Sequence, residues 1–285
     1  MNNATWNRAV DKSFKYFGIA CTFLGLILLG IFMVNIFTEG AQRISWQFLT
    51  SLPSRLPARA GILTAWTGSL WIFTLTGLIA IPLGISASIW LEEYGKKNPL
   101  AQFLEINISN LAGVPSIIYG ILGLQIFGRM MNLENSLLAG SFTLALLILP
   151  IIIVATREAI RAVPGTIREA SYALGASKWQ TIWNQVLPAS FSSILTGIIL
   201  ALARAVGETA PLIVIGALAY VPFVAQTPMD EFTVLPIQIF NWVSRPQAGF
   251  LINAAAGSLV LLCFVFFMNG VAILLRRRAQ RNLKW

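Results

Sequence analysis

The segment NSLLAGSFTLALLILPIIIVAT, residues 135–156, has 22 consecutive residues without a charged side chain. At 1.5 Å per residue, a helix of this length is about 33 Å long, close to the roughly 30 Å hydrocarbon core of a bilayer. Charges return immediately afterwards with Arg157 and Glu158. The segment therefore predicts a helix that crosses a membrane and ends at a water-facing surface.

Five further segments predict membrane-spanning helices. Four lack charged residues, and the other contains only two, Arg204 and Glu208. The five segments are residues 16–38, 62–91, 106–128, 188–220 and 249–275. Charged residues make up 11% of the 285-residue chain, against about 25% in a soluble domain. No linker separates these segments, so we predict one all-α integral membrane domain over residues 1–285, with six transmembrane helices.

The basic residues predict the orientation of the chain. Three lie before the first span, two at positions 96–97, four in residues 157–178 and five after residue 275, whereas the opposite side has five. The positive-inside rule then places both termini in the cytoplasm. The start of the chain resembles a first transmembrane helix more than a signal peptide. We assign the net charge of +9 to helix ends and anionic lipid, and expect no nucleic-acid binding.

The composition argues against an enzyme. The chain has no histidine, and its two cysteines, Cys21 and Cys263, lie inside predicted spans. The usual general base and the commonest metal ligand are therefore missing, and we predict no catalytic residue, metal site or disulfide. The GK pair at Gly95 and Lys96 follows Trp90, where a phosphate-binding loop requires glycine. We expect no cofactor in this chain.

The loop between the fourth and fifth spans, residues 157–188, predicts a helix, a tight turn and a second helix. Two pairs with the spacing of a capping box mark the two helix starts: Thr166 with Glu169, and Ser177 with Gln180. Gly175 suits the left-handed position that ends the first helix, and Pro188 can open the next span. Small residues such as Ala170 and Ser171 allow a partner to approach. The residues alone leave two readings open: docking of a partner, or a self-packed hairpin in which Glu169 is only a cap.

Two polar features lie inside predicted spans. Arg204 and Glu208 are four residues apart, so they can pair on one helix face, and Thr209 and Pro211 follow them. Charges at this depth usually face the bundle interior or a pathway. One reading is a structural ion pair. The other is that Arg204 attracts an anion while Glu208 holds the guanidinium until the anion replaces it.

The third span carries the second polar feature, the run AGVPSIIYG at residues 112–120. Its glycines and proline predict a break that brings Ser116 and Tyr119 to membrane depth. A kink with close helix packing and a lining of the transport pathway are both compatible with this run.

The loop resembles the EAA loop of ABC importer permeases. The motif is Glu169-Ala170-Ser171, then Gly175, then Leu187-Pro188, with Ser171 for the second alanine and Gln185 where an apolar residue is usual. This resemblance implies that Glu169, Ala170, Ser171 and Gly175 couple the chain to a separate ATPase. That ATPase would bind ATP and Mg.

Longer runs resemble the PstA family, the permeases of phosphate-specific type I ABC importers. They include LEEYG at 91–95, AGVPSIIYGILGL at 112–124 and RAVGETAPL at 204–212. The resemblance covers most of the chain from about Gly61. It implies a multi-pass protein of the bacterial inner (plasma) membrane, working with a PstB-like ATPase dimer, a PstC-like second permease and an external PstS-like phosphate-binding protein. It also implies that Arg204 and Glu208 lie on the anion path, and we predict Thr209, Ser116 and Tyr119 as further residues of that path.

Several other functions stay open at this point. The same machine could carry another oxyanion, such as sulfate or molybdate. An ion-coupled secondary transporter would use Glu208 as a proton site, although we find no internal repeat of the kind such transporters contain. A membrane-embedded enzyme and a structural or sensory subunit of the same assembly are the remaining alternatives.

Overall fold

The computed structural model describes residues 3–95, 98–217 and 220–281, and all regular structure in these ranges is helical. Five helices exceed twenty residues: α1 (Asn3–Gly40), α3 (Leu63–Ile89), α6 (Leu137–Arg161), α9 (Leu187–Gly207) and α12 (Ala248–Arg281). The shorter helices are α2 (Trp46–Thr50), α4 (Pro99–Leu111), α5 (Ser116–Gly123), α7 (Gly165–Ala173), α8 (Lys178–Thr181), α10 (Ala210–Val214) and α11 (Leu235–Val243). Three wider, π-helical segments adjoin these helices. They are Trp90–Tyr94 after α3, Leu124–Met130 after α5 and Ile182–Val186 between α8 and α9.

Five helical segments in the described part are long and apolar enough to cross a membrane. They are Val10–Arg43, Leu63–Tyr94, Leu137–Arg161, Lys178–Gly207 and Ala248–Arg278. A sixth span results if the bent pair Pro99–Leu111 and Ser116–Met130 is taken together. The predicted all-α membrane class is confirmed. We call the end of the bundle that carries α7 and α8 the loop end.

The third predicted span, residues 106–128, is broken, as its glycines and proline predict. The chain bends by 111° between α4 and the helix that starts at Ser116. Pro115 has no N–H to donate, and its ring would clash with the carbonyl of Leu111 in a continuous helix. The Tyr119 hydroxyl instead donates to that carbonyl at 2.7 Å and fastens the two arms of the bend.

The fifth span also differs from the predicted range 188–220. Its helix begins earlier, at Lys178, passes through the π turn without interruption and ends at Gly207. Pro188 therefore lies within a continuous helical segment and does not open a new one. In the described remainder of the predicted span, residues 208–217 and 220, the chain forms only the five-residue helix α10, because Pro211 cannot donate the hydrogen bond that would continue α9.

Helices α3, α6 and α9 form the centre of the bundle and approach each other at small residues. A Cβ added to Gly197 on α9 would lie 2.4 Å from the Cβ of Ala155 on α6. A Cβ added to Gly84 on α3 would lie 2.5 Å from Ile152 Cγ2 on α6. Lipid tails are as apolar as the side chains, so helix association in a membrane depends on such close packing.

We expect Gly197→Val to destabilise the protein, because the valine would force α9 away from α6. Overpacking of this kind costs about 1–3 kcal/mol. Thermal unfolding in detergent measures the effect. Gly270→Val is the matched control, since a Cβ at Gly270 on α12 meets no atom within 4 Å. Equal losses of stability in the two variants would contradict the assigned α6–α9 contact.

Candidate functional site

The pair Arg204 and Glu208 lies near the middle of the bundle. The level of the pair along the bundle follows from a contact between α3 and α9. Gly77 lies close to the midpoint of the segment Leu63–Tyr94, and a Cβ added there would lie 3.7 Å from Leu202 Cδ2. Arg204 follows Leu202 by two residues on α9. This level on α3 lies inside a segment long and apolar enough to cross a membrane, where a guanidinium or a carboxylate would be costly without a partner or a water-filled pathway.

The expected ion pair forms, but in a different local geometry. Arg204 Nε lies 3.3 Å from Glu208 Oε1. Glu208 is the first residue beyond α9 and has an extended backbone, with φ −76° and ψ 127°, so the two residues do not share a helix face. The Arg204 side chain is 46% exposed and that of Glu208 17%. The terminal nitrogens of the Arg204 guanidinium make no further hydrogen bond or ion pair with the residues that the structure describes.

Helix α5 packs beside this break. A Cβ added to Gly120 would lie 2.7 Å from the Cα of Pro211, so α5 and α10 are in direct backbone contact. Tyr119 is 3% exposed and belongs to the same core cluster as Ala201 and Ala205 of α9.

The predicted path residues therefore fall into two groups. Arg204, Glu208 and Thr209 lie together at the break, and Thr209 is partly buried. Ser116 is a partly exposed residue at the start of α5. The Tyr119 hydroxyl is already bonded to the Leu111 carbonyl, so this side chain supports the bend of the third span.

The loop contains the two predicted helices, but the first begins differently from the expectation. Pro164 occupies the position before α7 with ψ 139°, and no side chain caps this helix start. The predicted capping box of Thr166 and Glu169 is wrong, because α7 already begins at Gly165 and both residues lie inside it. The second capping box is confirmed: the Gln180 amide N–H donates to Ser177 Oγ at 3.3 Å, and the Ser177 amide N–H donates to Gln180 Oε1 at 2.8 Å.

The turn between the two loop helices is the predicted left-handed one, with φ +83° at Gly175. Ser171 joins the helices across this turn, since its Oγ lies 2.8 Å from Thr181 Oγ1. Ser171, the departure from the usual second alanine of the EAA motif, therefore supplies a bond that alanine could not make.

The outer surface of α7 is apolar at its tip and carries an unpaired acid. Leu174 is 90% exposed and Tyr172 42%. Glu169 and Ala170 are exposed, and the Glu169 carboxylate makes no hydrogen bond or ion pair with any residue that the structure describes. An exposed apolar tip beside a free carboxylate is the kind of surface that a partner protein covers.

Two acidic residues without an assigned role in the sequence prediction hold the ends of α6 and α7 against the end of the segment Leu63–Tyr94. Glu92 and Glu93 close the segment Leu63–Tyr94, and their side chains are only 4% and 5% exposed. Glu92 pairs with Arg157 at 3.1 Å and Arg161 at 3.3 Å, both at the end of α6. Glu93 pairs with Arg168 of α7 at 2.8 Å. The sequence does contain a signal for these contacts: two adjacent acids at a span end on the side that carries most of the basic residues.

The described ranges contain no cluster of three or more histidine, cysteine or acidic residues that could hold a metal ion.

Comparisons with known proteins identify the class of protein that this fold and site belong to. Residues 80–281 match the family described as "Binding-protein-dependent transport system inner membrane component". The chain belongs to this family, whose members are the multi-pass membrane components of such systems and not their ATPases.

Two named relatives and one solved structure are similar to this chain. The chain is 35% identical to a phosphate transport system permease protein PstA of Yersinia pestis, over 94% of this chain and 90% of that protein. It is 32% identical to the probable ABC transporter permease protein YqgI of Bacillus subtilis, over 88% of this chain and 90% of the relative. A solved structure of the inward-facing MetNI methionine ABC transporter matches with a TM-score of 0.60 at 17% identity, over 74% of this chain and 94% of that chain. The fold is therefore that of a type I ABC importer permease.

Proposed function

We propose that this chain is the membrane permease subunit of an ATP-driven phosphate importer and forms half of its translocation pathway. The observation that carries the proposal is the half-exposed Arg204 side chain beside the end of α9, near the level of Gly77 on α3. A planar guanidinium donates paired hydrogen bonds to an oxyanion such as phosphate. The similarity to proteins named as phosphate permeases supports this choice of substrate.

Phosphate passes the break by exchange of ion-pair partners. While no phosphate is bound, the carboxylate of Glu208 balances the positive charge of the Arg204 guanidinium. An arriving phosphate competes for the guanidinium, and the Thr209 hydroxyl is a hydrogen-bond donor at the same break. Ser116 lies at the start of the neighbouring helix α5. One arginine is few for a multiply charged anion, so the second permease contributes further positive charge.

The ATPase contacts this chain at the loop end and transmits the movement driven by ATP there. A PstB-like ATPase dimer, which binds ATP and Mg, docks on α7 through Glu169, Ala170 and the tip around Gly175. A PstC-like permease completes the pathway, and an external PstS-like protein delivers phosphate. This arrangement places the loop and both termini in the cytoplasm and the chain in the bacterial inner membrane.

The test is uptake by the four-component complex in liposomes that contain ATP. We expect labelled phosphate to accumulate only when the ATPase, ATP and the binding protein are all present. Unlabelled phosphate should compete, whereas sulfate and molybdate should not. Competition by sulfate or molybdate with no effect of phosphate would assign the importer to another oxyanion. Uptake that persists without the ATPase would favour an ion-coupled transporter.

A further inference from the structure

The arginine in the first loop helix contacts two elements besides its own helix. Arg168 belongs to α7, and its Nε and Nη2 lie 3.1 and 2.8 Å from Glu93 Oε1, beyond the end of α3. Its Nη1 donates to the Val163 carbonyl at 2.7 Å and its Nη2 to the Ile160 carbonyl at 3.0 Å. Those carbonyls lie at the C-terminal end of α6, where a positive charge is favourable. One guanidinium therefore joins α7 to the ends of two central helices.

The second loop helix is tied to the same place. Lys178, the first residue of α8, donates from Nζ to the Glu93 carbonyl. The same ammonium lies 4.5 Å from the centre of the Tyr94 ring. Both loop helices thus converge on Glu93 and its neighbour, although these residues are 75 and 85 positions away from Arg168 and Lys178 in sequence.

Burial makes this attachment difficult to break. The Glu93 side chain is 5% exposed and the Arg168 side chain 14%. Separating a buried pair leaves each charge without compensation, which costs more than the pair gains over an apolar contact. The rest of α7 is held less firmly, because Glu169 is free within the described chain and Leu174 lies in the open.

We propose that the Glu93–Arg168 pair is the joint through which movement of α7 reaches α3, and that Glu93 is a positioning residue for coupling. This inference rests on the proposed function, in which α7 contacts the ATPase. A displacement that the ATPase imposes on α7 cannot leave Glu93 behind, so α3 moves with the loop. Because α3 contacts α9 at Gly77 and Leu202, the same movement is passed to the segment that carries Arg204.

The experiment measures anion transported per ATP hydrolysed in liposomes. We expect Glu93→Gln to assemble with the ATPase and hydrolyse ATP while this ratio falls about tenfold, the size of effect that altered coupling residues produce. Glu92→Gln is the matched control, because it also removes a buried carboxylate here but its ion pairs with Arg157 and Arg161 run to α6. It should keep the wild-type ratio. A wild-type ratio in Glu93→Gln, or an equal fall in Glu92→Gln, would overturn the proposal.

Two further variants test the proposal if Glu93→Gln does not fold. Arg168→Lys keeps the positive charge but cannot bond Glu93 and two carbonyls at once, so it should assemble with a reduced ratio. The double variant Glu93→Gln with Arg168→Gln contains no lone buried charge at this position. If the double variant assembles and couples like the wild type, the pair serves stability alone and the proposal is wrong.

The ratio is measured with whichever anion the wild-type complex transports. Absence of phosphate uptake by the wild type would therefore contradict the proposed substrate and leave the test of the joint intact.

Discussion

Arg204→Ala is expected to lower phosphate uptake by at least about tenfold while the complex still assembles. The variant removes the only charged donor that we place on the path from this chain, and a guanidinium–oxyanion contact contributes about 1.5–3 kcal/mol. The half-exposed position of Arg204 in the isolated chain means that its loss leaves no cavity in the core. Glu208 remains at the break without its partner and adds a barrier to an anion. The measurement is uptake of labelled phosphate by liposomes with equal amounts of complex.

Arg277→Ala controls for the loss of one positive charge. Arg277 lies on α12 and is exposed, and it has no part in the proposed path. Uptake should stay within twofold of the wild type, and co-purification of the ATPase should be unchanged in both variants. Normal uptake by Arg204→Ala would remove this residue from the path and assign the pair with Glu208 a structural role.

Leu174→Asp is expected to detach the ATPase from the membrane subunits. Leu174 is 90% exposed at the tip of the loop, and covering a leucine contributes about 1.5–3 kcal/mol. An aspartate would add the cost of burying a charge in the same contact. The two effects together weaken binding by roughly 100-fold or more, since each 1.4 kcal/mol is a factor of ten. Co-purification and the ATPase dissociation constant measure the loss.

The control for Leu174 is Leu174→Met, which keeps an apolar side chain and should retain the ATPase. Retention of the ATPase by Leu174→Asp at wild-type affinity would show that the tip is not the docking surface.

Glu169→Gln removes the charge of Glu169 without removing a residue that α7 needs to fold. Because Glu169 caps nothing in α7, this variant should leave the loop folded, and any loss of coupling then reports a lost contact with the partner.

The Thr166–Glu169 prediction illustrates why local patterns can be misread. The spacing of a capping box is present, but Pro164 adopts ψ 139° and lets the helix begin at Gly165. Two positions further into the helix, the Glu169 amide already has an intrahelical acceptor, so the Thr166 side chain has no free amide to satisfy there. Ser177 and Gln180 have equal spacing, and there the box forms because Ser177 has the extended backbone of a cap residue.

The breaks in the third and fifth spans were visible in the sequence as glycines and prolines, but their consequences were not. Pro115 predicts a kink, whereas the observed bend of 111° makes α4 a separate helix beside the end of α6. Pro211 predicts a loosened helix, whereas α9 stops at Gly207 and Glu208 leaves the helix entirely. Proline specifies where a helix hydrogen bond is missing, and the neighbouring helices decide how far the chain then turns.

Local chemistry and runs of uncharged residues are enough to predict the membrane class, the break near Arg204 and Glu208, and the loop with its left-handed Gly175. The packing of the helices was needed to show which helices are neighbours, which level of α3 Arg204 lies beside, and that Glu93 pairs with Arg168. In a membrane, the lipid-facing and core-facing sides of a helix are both apolar, so periodicity does not identify the packed face. The pairing of two charged residues 75 positions apart can be predicted only once the packed faces of the helices are known.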